Sequence, residues 1–179
     1  NNFIPGIQRI KDQFGLKTWY NEEPYMLSFN TALMYMNTLK EPMDDKQFRR
    51  AMAFMVNQQN IVDRVYGGLV EAANPTGLFG EGWEAYLDEE VVENYGFEYN
   101  PTKAKALLDD AGYVDADGDG WRDMPNGDPL ELKLMVPSGW TDWMEAIRSI
   151  ASDAEEIGLN ISPDFPDVSL FDNRRFTSD

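Results

Sequence analysis

The chain has 179 residues with 32 Asp and Glu against 15 Lys and Arg, a formal net charge of -17, and neither histidine nor cysteine. Those two absences exclude Ser-His-Asp and Cys-His nucleophile systems, His- or Cys-built zinc sites, thiol redox centres and disulfides. The charge disfavours nucleic acid and anionic polymers as partners, while 42% hydrophobic and 13% aromatic residues supply enough apolar surface for a folded core.

Along residues 1–15, Phe3, Ile4, Ile7, Ile10 and Phe14 are spaced for a short helix or an ordered approach segment. Leu16 to Asn21 and Tyr25 to Thr31 are rich in aromatic and β-prone residues, and Asn21-Glu22-Glu23-Pro24 between them predicts a turn joining two strands. Asp44-Asp45 then leads into Phe48, Ala51, Met52, Met55 and Val56 at helical spacing, with Lys46, Arg49 and Arg50 on the opposite face. Ile61, Val62, Val65 and Tyr66 predict a second helix stopped by Gly67-Gly68, the two reading as a helix pair. Glycines and Pro75 predict an irregular loop over Ala72 to Gly82.

Asn100-Pro101 predicts a helix start, followed by Ala104, Leu107, Leu108 and Ala111 and closed by Gly112. Leu130 to Val136 alternates as a half-buried strand and is ended by Pro137-Ser138-Gly139. A long helix follows from Thr141 to Ile157, ended by Gly158, and Ile161 opens a last short strand. This order predicts an α/β fold in which helices flank a mixed sheet. The sequence contains no apolar run near membrane-spanning length and no leader pattern at its start, so the expectation is a soluble chain or one cut from something larger.

Two motifs carry chemistry. Asp115, Asp117 and Asp119, with Gly120, the Trp121 carbonyl and Asp123, have the spacing of a calcium loop, because neighbouring carboxylates invite a divalent cation. Arg122 and Asn126 depart from that pattern, so calcium stands beside the alternative of an acidic solvated turn. The second motif is Pro137-Ser138-Gly139-Trp140-Thr141-Asp142-Trp143, at a strand-to-helix junction where α/β folds bind ligands. Here Trp140 offers a flat apolar face to a sugar ring or packs in the loop; Trp143 falls on the helix's core face. Asp142 accepts ligand hydrogen bonds or caps the helix.

Asn30, at a predicted strand end, is a further candidate ligand contact, with turn closure as its alternative. Trp19 and Tyr20 read as strand aromatics and Trp83 as a loop anchor. Arg174 and Arg175 are cations near an acidic terminus whose default partners are Asp172 and Asp179. Paired carboxylates for glycosidase chemistry leave no sequence signature, and no phosphate-cradling glycine loop is present.

Taken in order, Phe29-Asn30-Thr31, Pro42-Met43-Asp44-Asp45, Phe48-Arg49-Arg50-Ala51-Met52-Ala53, Val56-Asn57, Tyr66-Gly67-Gly68, Tyr99-Asn100-Pro101, Ala111-Gly112-Tyr113, the Asp-Gly-Asp-Gly loop and Ala154 to Leu159 resemble the family 5 extracellular solute-binding proteins. These are the oligopeptide, dipeptide, nickel and oligosaccharide receptors of ABC transporters. The resemblance implies a type II periplasmic-binding-protein-like lobe, with residues 1–179 forming a single lobe of a longer two-lobed receptor. It further implies a periplasmic or extracellular monomer, membrane-associated through an absent N-terminus or through its permease.

As a member of that family, the chain is expected to be no enzyme. It would capture an oligosaccharide or oligopeptide in an interlobe cleft and deliver it to the permease. The Ser138-Gly139-Trp140-Thr141-Asp142-Trp143 segment resembles oligosaccharide-binding members, and Arg174 or Arg175 falls near a cleft arginine of peptide-binding ones. A calcium-dependent interaction module and a carboxylate-based glycosidase are the alternatives from other classes.

Overall fold

The computed structural model describes residues 7–22, 25, 31–77 and 84–177. The chain divides into two compact units, one of Asn1–Met34 with Gln58–Gly96 and the other of Tyr35–Asn57 with Phe97–Asp179.

In the first unit, α1 (Ile7–Phe14) forms where the apolar spacing predicts a helix. The strand expected over Leu16 to Asn21 does not form. Instead Tyr20 N donates to Tyr25 O and Tyr25 N to Glu22 O, both at 2.9 Å, closing a turn in which Tyr25 takes φ 63° and is buried. Lys11 Nζ stands 4.7 Å above the Tyr25 ring and donates to Asn21 O at 2.8 Å. Aromatic, β-prone composition reports fit to a pleated surface and cannot supply the pairing partner a strand needs. Most of the second expected strand, including Asn30, lies outside the described residues, as does the end of the Ala72–Gly82 loop with Trp83.

α3 (Gln58–Val65) ends at the predicted glycine pair, with Gly67 and Gly68 at φ 61° and 76° and Gly68 N donating to Val62 O at 3.0 Å. α4 (Glu89–Tyr95) was not expected. Its signal was nevertheless present: Asp88 caps Val91 N at 3.1 Å, and Glu89 and Glu90 complement the helix dipole.

The second unit holds α2 (Lys46–Met55), so the expected pair of α2 and α3 is split between units. Asp45 caps α2 by accepting from Gln47 N at 2.7 Å, and Phe48, Ala51, Met52, Phe54 and Met55 are buried. Val56 is the C-cap of α2 rather than part of its face. α5 (Pro101–Asp110) begins with Asn100 accepting from Lys103 N at 3.0 Å and packs Ala104 and Leu108 against α2. Asn100 N also donates to Phe54 O at 2.7 Å, tying the start of α5 to the end of α2.

β1 (Glu131–Met135), α6 (Thr141–Glu156) and β2 (Asn160–Asp164) make a β-α-β unit. The strands are parallel, in register from Glu131↔Asn160 to Met135↔Asp164, as a helical crossover allows. α6 lies on β2 and buries Ile147, Ile150 and Ala154, with Ile157, Leu159 and Ile161 completing the core. Each of these isoleucine and leucine side chains contributes roughly 1.5–3 kcal/mol on burial. Among the described residues the sheet is parallel and two-stranded rather than mixed, antiparallel pairing being confined to the isolated bridge Asp123–Pro129. α7 (Val168–Thr177) was also unexpected, because its apolar residues follow no single stripe; Asp167 caps it at Leu170 N, 3.0 Å away.

Candidate functional site

At the carboxyl edge of the sheet, two loops are fastened together. Val136 N donates to Asp164 O at 3.2 Å and Ser138 N to Pro166 O at 2.8 Å, while Pro137 is fully buried between them. On this base Trp140 occupies the cap position of α6 without making a side-chain capping bond. Its ring meets Trp143 edge-on, with centroids 5.4 Å apart at 88°, and lies 6.5 Å from Phe171 of α7. Even with those neighbours Trp140 remains 42% exposed. An indole fixed by two aromatic contacts and open to solvent is a ready platform for a planar or ring-shaped apolar surface.

The structure alters the expected roles around it. Trp143 is half-buried and serves as the edge partner of Trp140, outside the central core. Asp142 is not the cap; it sits in the first turn of α6, where its charge favours the amide end of the helix. Among the described residues Arg174 pairs with Asp164 and not with Asp172: its Nη1 donates to Asp164 Oδ2 at 2.8 Å and lies 3.6 Å from Met135 Sδ, while Asp179 lies outside the described residues. Arg175 places its guanidinium 5.7 Å from the Tyr35 ring and 5.2 Å from the Phe176 ring. On α6, Arg148 pairs with Glu145 and stacks 4.8 Å over Phe165.

The acidic loop lies before β1, toward the opposite edge. Asp115, Asp117 and Asp123 bring one carboxylate oxygen each within 4.8 Å of one another. Asp119 is not in that group; its carboxylate accepts from Trp121 N at 2.8 Å. The others also bond the loop's own backbone: Asp115 accepts from Gly118 N at 2.7 Å and Gly120 N at 3.0 Å, and buried Asp123 from Ala116 N at 2.9 Å. Calcium takes about six to eight oxygens, so three carboxylates meet half of that demand.

Arg122, the residue that departed from the calcium pattern, is the loop's fastener. It donates to Ile157 O at 2.7 Å, Tyr113 O at 2.5 Å and Asp109 Oδ1 at 2.6 Å, while its own N donates to Gly158 O at 2.7 Å. Gly158 takes φ 80°, a left-handed conformation that favours glycine, and offers its carbonyl to Arg122 N. Sequence reasoning missed this role, since the three acceptors come from distant parts of the chain.

Two buried groups are electrostatically perturbed. Tyr113 packs 4.8 Å from Phe48 beside a cavity of about 250 Å3 that is also lined by Glu41, Asp44, Asp45 and Asn126. Burial, then the Asp45, Asp44 and Glu41 carboxylates, push its phenol up to about 12. Asp153 of α6, buried, accepts from Asn57 N at 2.9 Å; desolvation raises its carboxyl above the ordinary range, Asn57 opposes this, and Glu156 adds to it.

The family model for the middle part of the bacterial extracellular solute-binding proteins, family 5, matches residues 1–178. The chain belongs to that family. Its α/β fold matches crystal structures of family 5 periplasmic binding proteins. The mannohexaose-bound oligopeptide ABC transporter, periplasmic oligopeptide-binding protein of Thermotoga maritima, is 45% identical with a TM-score of 0.91 over 96% of this chain and 32% of that one.

Among curated family 5 relatives, the Oligopeptide-binding protein AppA of Bacillus subtilis is 34% identical over 133 residues, covering 70% of this chain and 22% of its own. The Nickel-binding periplasmic protein of Escherichia coli is 27% identical over 135 residues, covering 74% of this chain and 24% of its own. The chain thus spans about a quarter of the curated family 5 proteins it matches. Family 5 is a family of solute-binding transport proteins, periplasmic or extracellular in placement, and not one of enzymes. Among the described residues, no helix is long and apolar enough to cross a membrane.

Proposed function

We propose that residues 1–179 form one lobe of the substrate-binding component of an ABC importer, that the solute is an oligosaccharide, and that the chain makes or breaks no bonds. The observation that carries this reading is Trp140, held by Trp143 and Phe171 yet 42% exposed at the carboxyl edge of the β1–β2 sheet. A pyranose presents apolar C–H faces that suit an indole, and Asp142, in the first turn of α6, supplies an acceptor for hydroxyls. The 45% identical Thermotoga maritima protein holding mannohexaose supports the same solute class.

In this reading, solute contacts to both lobes stabilise the closed receptor, which the permease then engages; an isolated lobe binds weakly because it makes only part of those contacts. An oligopeptide is the second reading, favoured by exposed Arg175 as an anchor for a peptide carboxylate. The test is tryptophan fluorescence of the full-length receptor, titrated with manno-, cello- and xylo-oligosaccharides beside tri- to pentapeptides, in wild type and Trp140→Ala. A saturable response to one sugar series, weakened by the substitution, is expected. A response confined to peptides sinks the oligosaccharide reading and turns attention to Arg175.

A further inference from the structure

We propose that Asp164 is a specificity-determining residue: by pairing with Arg174 it cancels a guanidinium charge beside the Trp140 platform and tunes this edge to an uncharged solute. The inference rests on the reading of that edge as a solute contact surface. Strand register places Met135 and Asp164 opposite each other as the last residues of β1 and β2. α7 returns across the same edge, and Phe171 and Arg174, three residues apart, share one face of it. Phe171 meets Trp140 at 6.5 Å, while Arg174 Nη1 reaches Asp164 Oδ2 at 2.8 Å and Met135 Sδ at 3.6 Å. Arg174 therefore lies one helical turn from Phe171, the residue that braces the Trp140 platform.

The ion pair is open to solvent, its two side chains being 37% and 31% exposed. Pairs this exposed contribute little to stability, so the consequence of this one is chemical. Without Asp164, a guanidinium would stand beside the platform with donors matched to a carboxylate. With Asp164 in place Nη1 is engaged by a carboxylate and the local charge is balanced. An acidic sugar or a peptide carboxylate then finds no counter-ion at this position, in a chain whose overall charge of -17 already repels it. Sequence distance hides the device, because Asp164 ends a strand and Arg174 lies ten residues on in a helix without a clear apolar stripe.

The experiment measures affinity of the full-length receptor for matched neutral and anionic ligands: mannohexaose against a mannuronate hexamer, and amidated against free-carboxylate pentapeptides. Asp164→Asn keeps the side-chain volume and an acceptor for Arg174 while removing the charge. It is expected to raise the anionic-to-neutral affinity ratio about five-fold, a gain that added salt diminishes. Arg174→Gln, which leaves Asp164 uncompensated, is expected to lower the ratio by a similar factor, so the inference stays testable should either variant fail to fold.

Ratios unchanged within about two-fold in both variants overturn the inference, as does a wild type that already prefers the anionic member. Which series binds is read separately. Peptide binding alone ends the oligosaccharide reading while the charge ratio is still measured on the peptide pair, and binding of neither series overturns both.

Discussion

β1 is entered and left through loops that dispose of their polar groups in opposite ways. Before the strand, the carboxylates of Asp115, Asp119 and Asp123 are spent on the loop's own amides, and Arg122 locks the segment to Tyr113, Ile157 and Gly158. After the strand, an aromatic side chain is left in solvent on a rigid base, with Trp143 and Phe171 holding its ring. The more conspicuous motif in the sequence therefore builds structure, and the quieter one presents surface. A dense run of Asp and Gly draws the eye because those residues form turns and bind ions alike.

The contrast is sharpened most by removing Arg122. Its side chain is 11% exposed and serves two main-chain carbonyls, so Arg122→Ala should cost about 3 kcal/mol, read as a lowered denaturant midpoint. Little of that comes from Asp109, which is 57% exposed. Trp140→Ala at the other end should leave the midpoint nearly unchanged while costing about 2 kcal/mol in solute affinity, roughly a thirty-fold rise in Kd. Loss of folding with no loss of affinity would reverse the assignment of the two ends.

Tyr113→Phe should cost about 1 kcal/mol at neutral pH, because it removes an O–H donor that faces the Asp45, Asp44 and Glu41 carboxylates. Because the native phenol is raised from 10.0 to about 12, its contribution is complete below pH 10 and is lost as pH rises toward 12. The wild type and the Phe variant should therefore converge across that interval in alkaline melts. Asp153 has the same sign at lower pH. Its raised carboxyl contributes stability at pH below the ordinary value of 3.8, and that contribution is lost as pH rises through the native value. Asp153→Asn should then raise Tm by about 2 °C at neutral pH, and the gain should vanish near about pH 3.

Calcium is expected to have the smallest effect. With its carboxylates already bonded to backbone amides, the acidic loop should melt within about 1 °C with and without chelator. A calcium-dependent rise of several degrees that Asp117→Asn abolishes would instead assign the loop an ion and break the contrast between the two ends.

Local signals were legible wherever the governing interactions lie within one turn or one strand. Asp45 and Asn100 cap α2 and α5, Gly67-Gly68 ends α3, and the alternation of Leu130 to Val136 marks β1, each an interaction among residues close in sequence. Asp88 and Asp167 were equally local signals for α4 and α7, passed over because no apolar stripe followed them. The family resemblance was legible too, since ordered blocks survive in a linear reading.

What tertiary structure alone decided is every pairing between distant residues. Leu16 to Asn21 has strand composition, but a strand exists only when another backbone offers its hydrogen bonds, and this segment closes a turn on Tyr25 instead. Arg174 has acids at several sequence distances, and the parallel register that brings Asp164 to the end of β2 determines which one it meets. Composition and spacing thus determined where α2, α3, α5 and α6 form and stop, and that Trp140 lies in a strand-to-helix loop. Which side chains share an edge was settled by packing, because burial and charge pairing depend on three-dimensional distance that spacing along the chain does not encode.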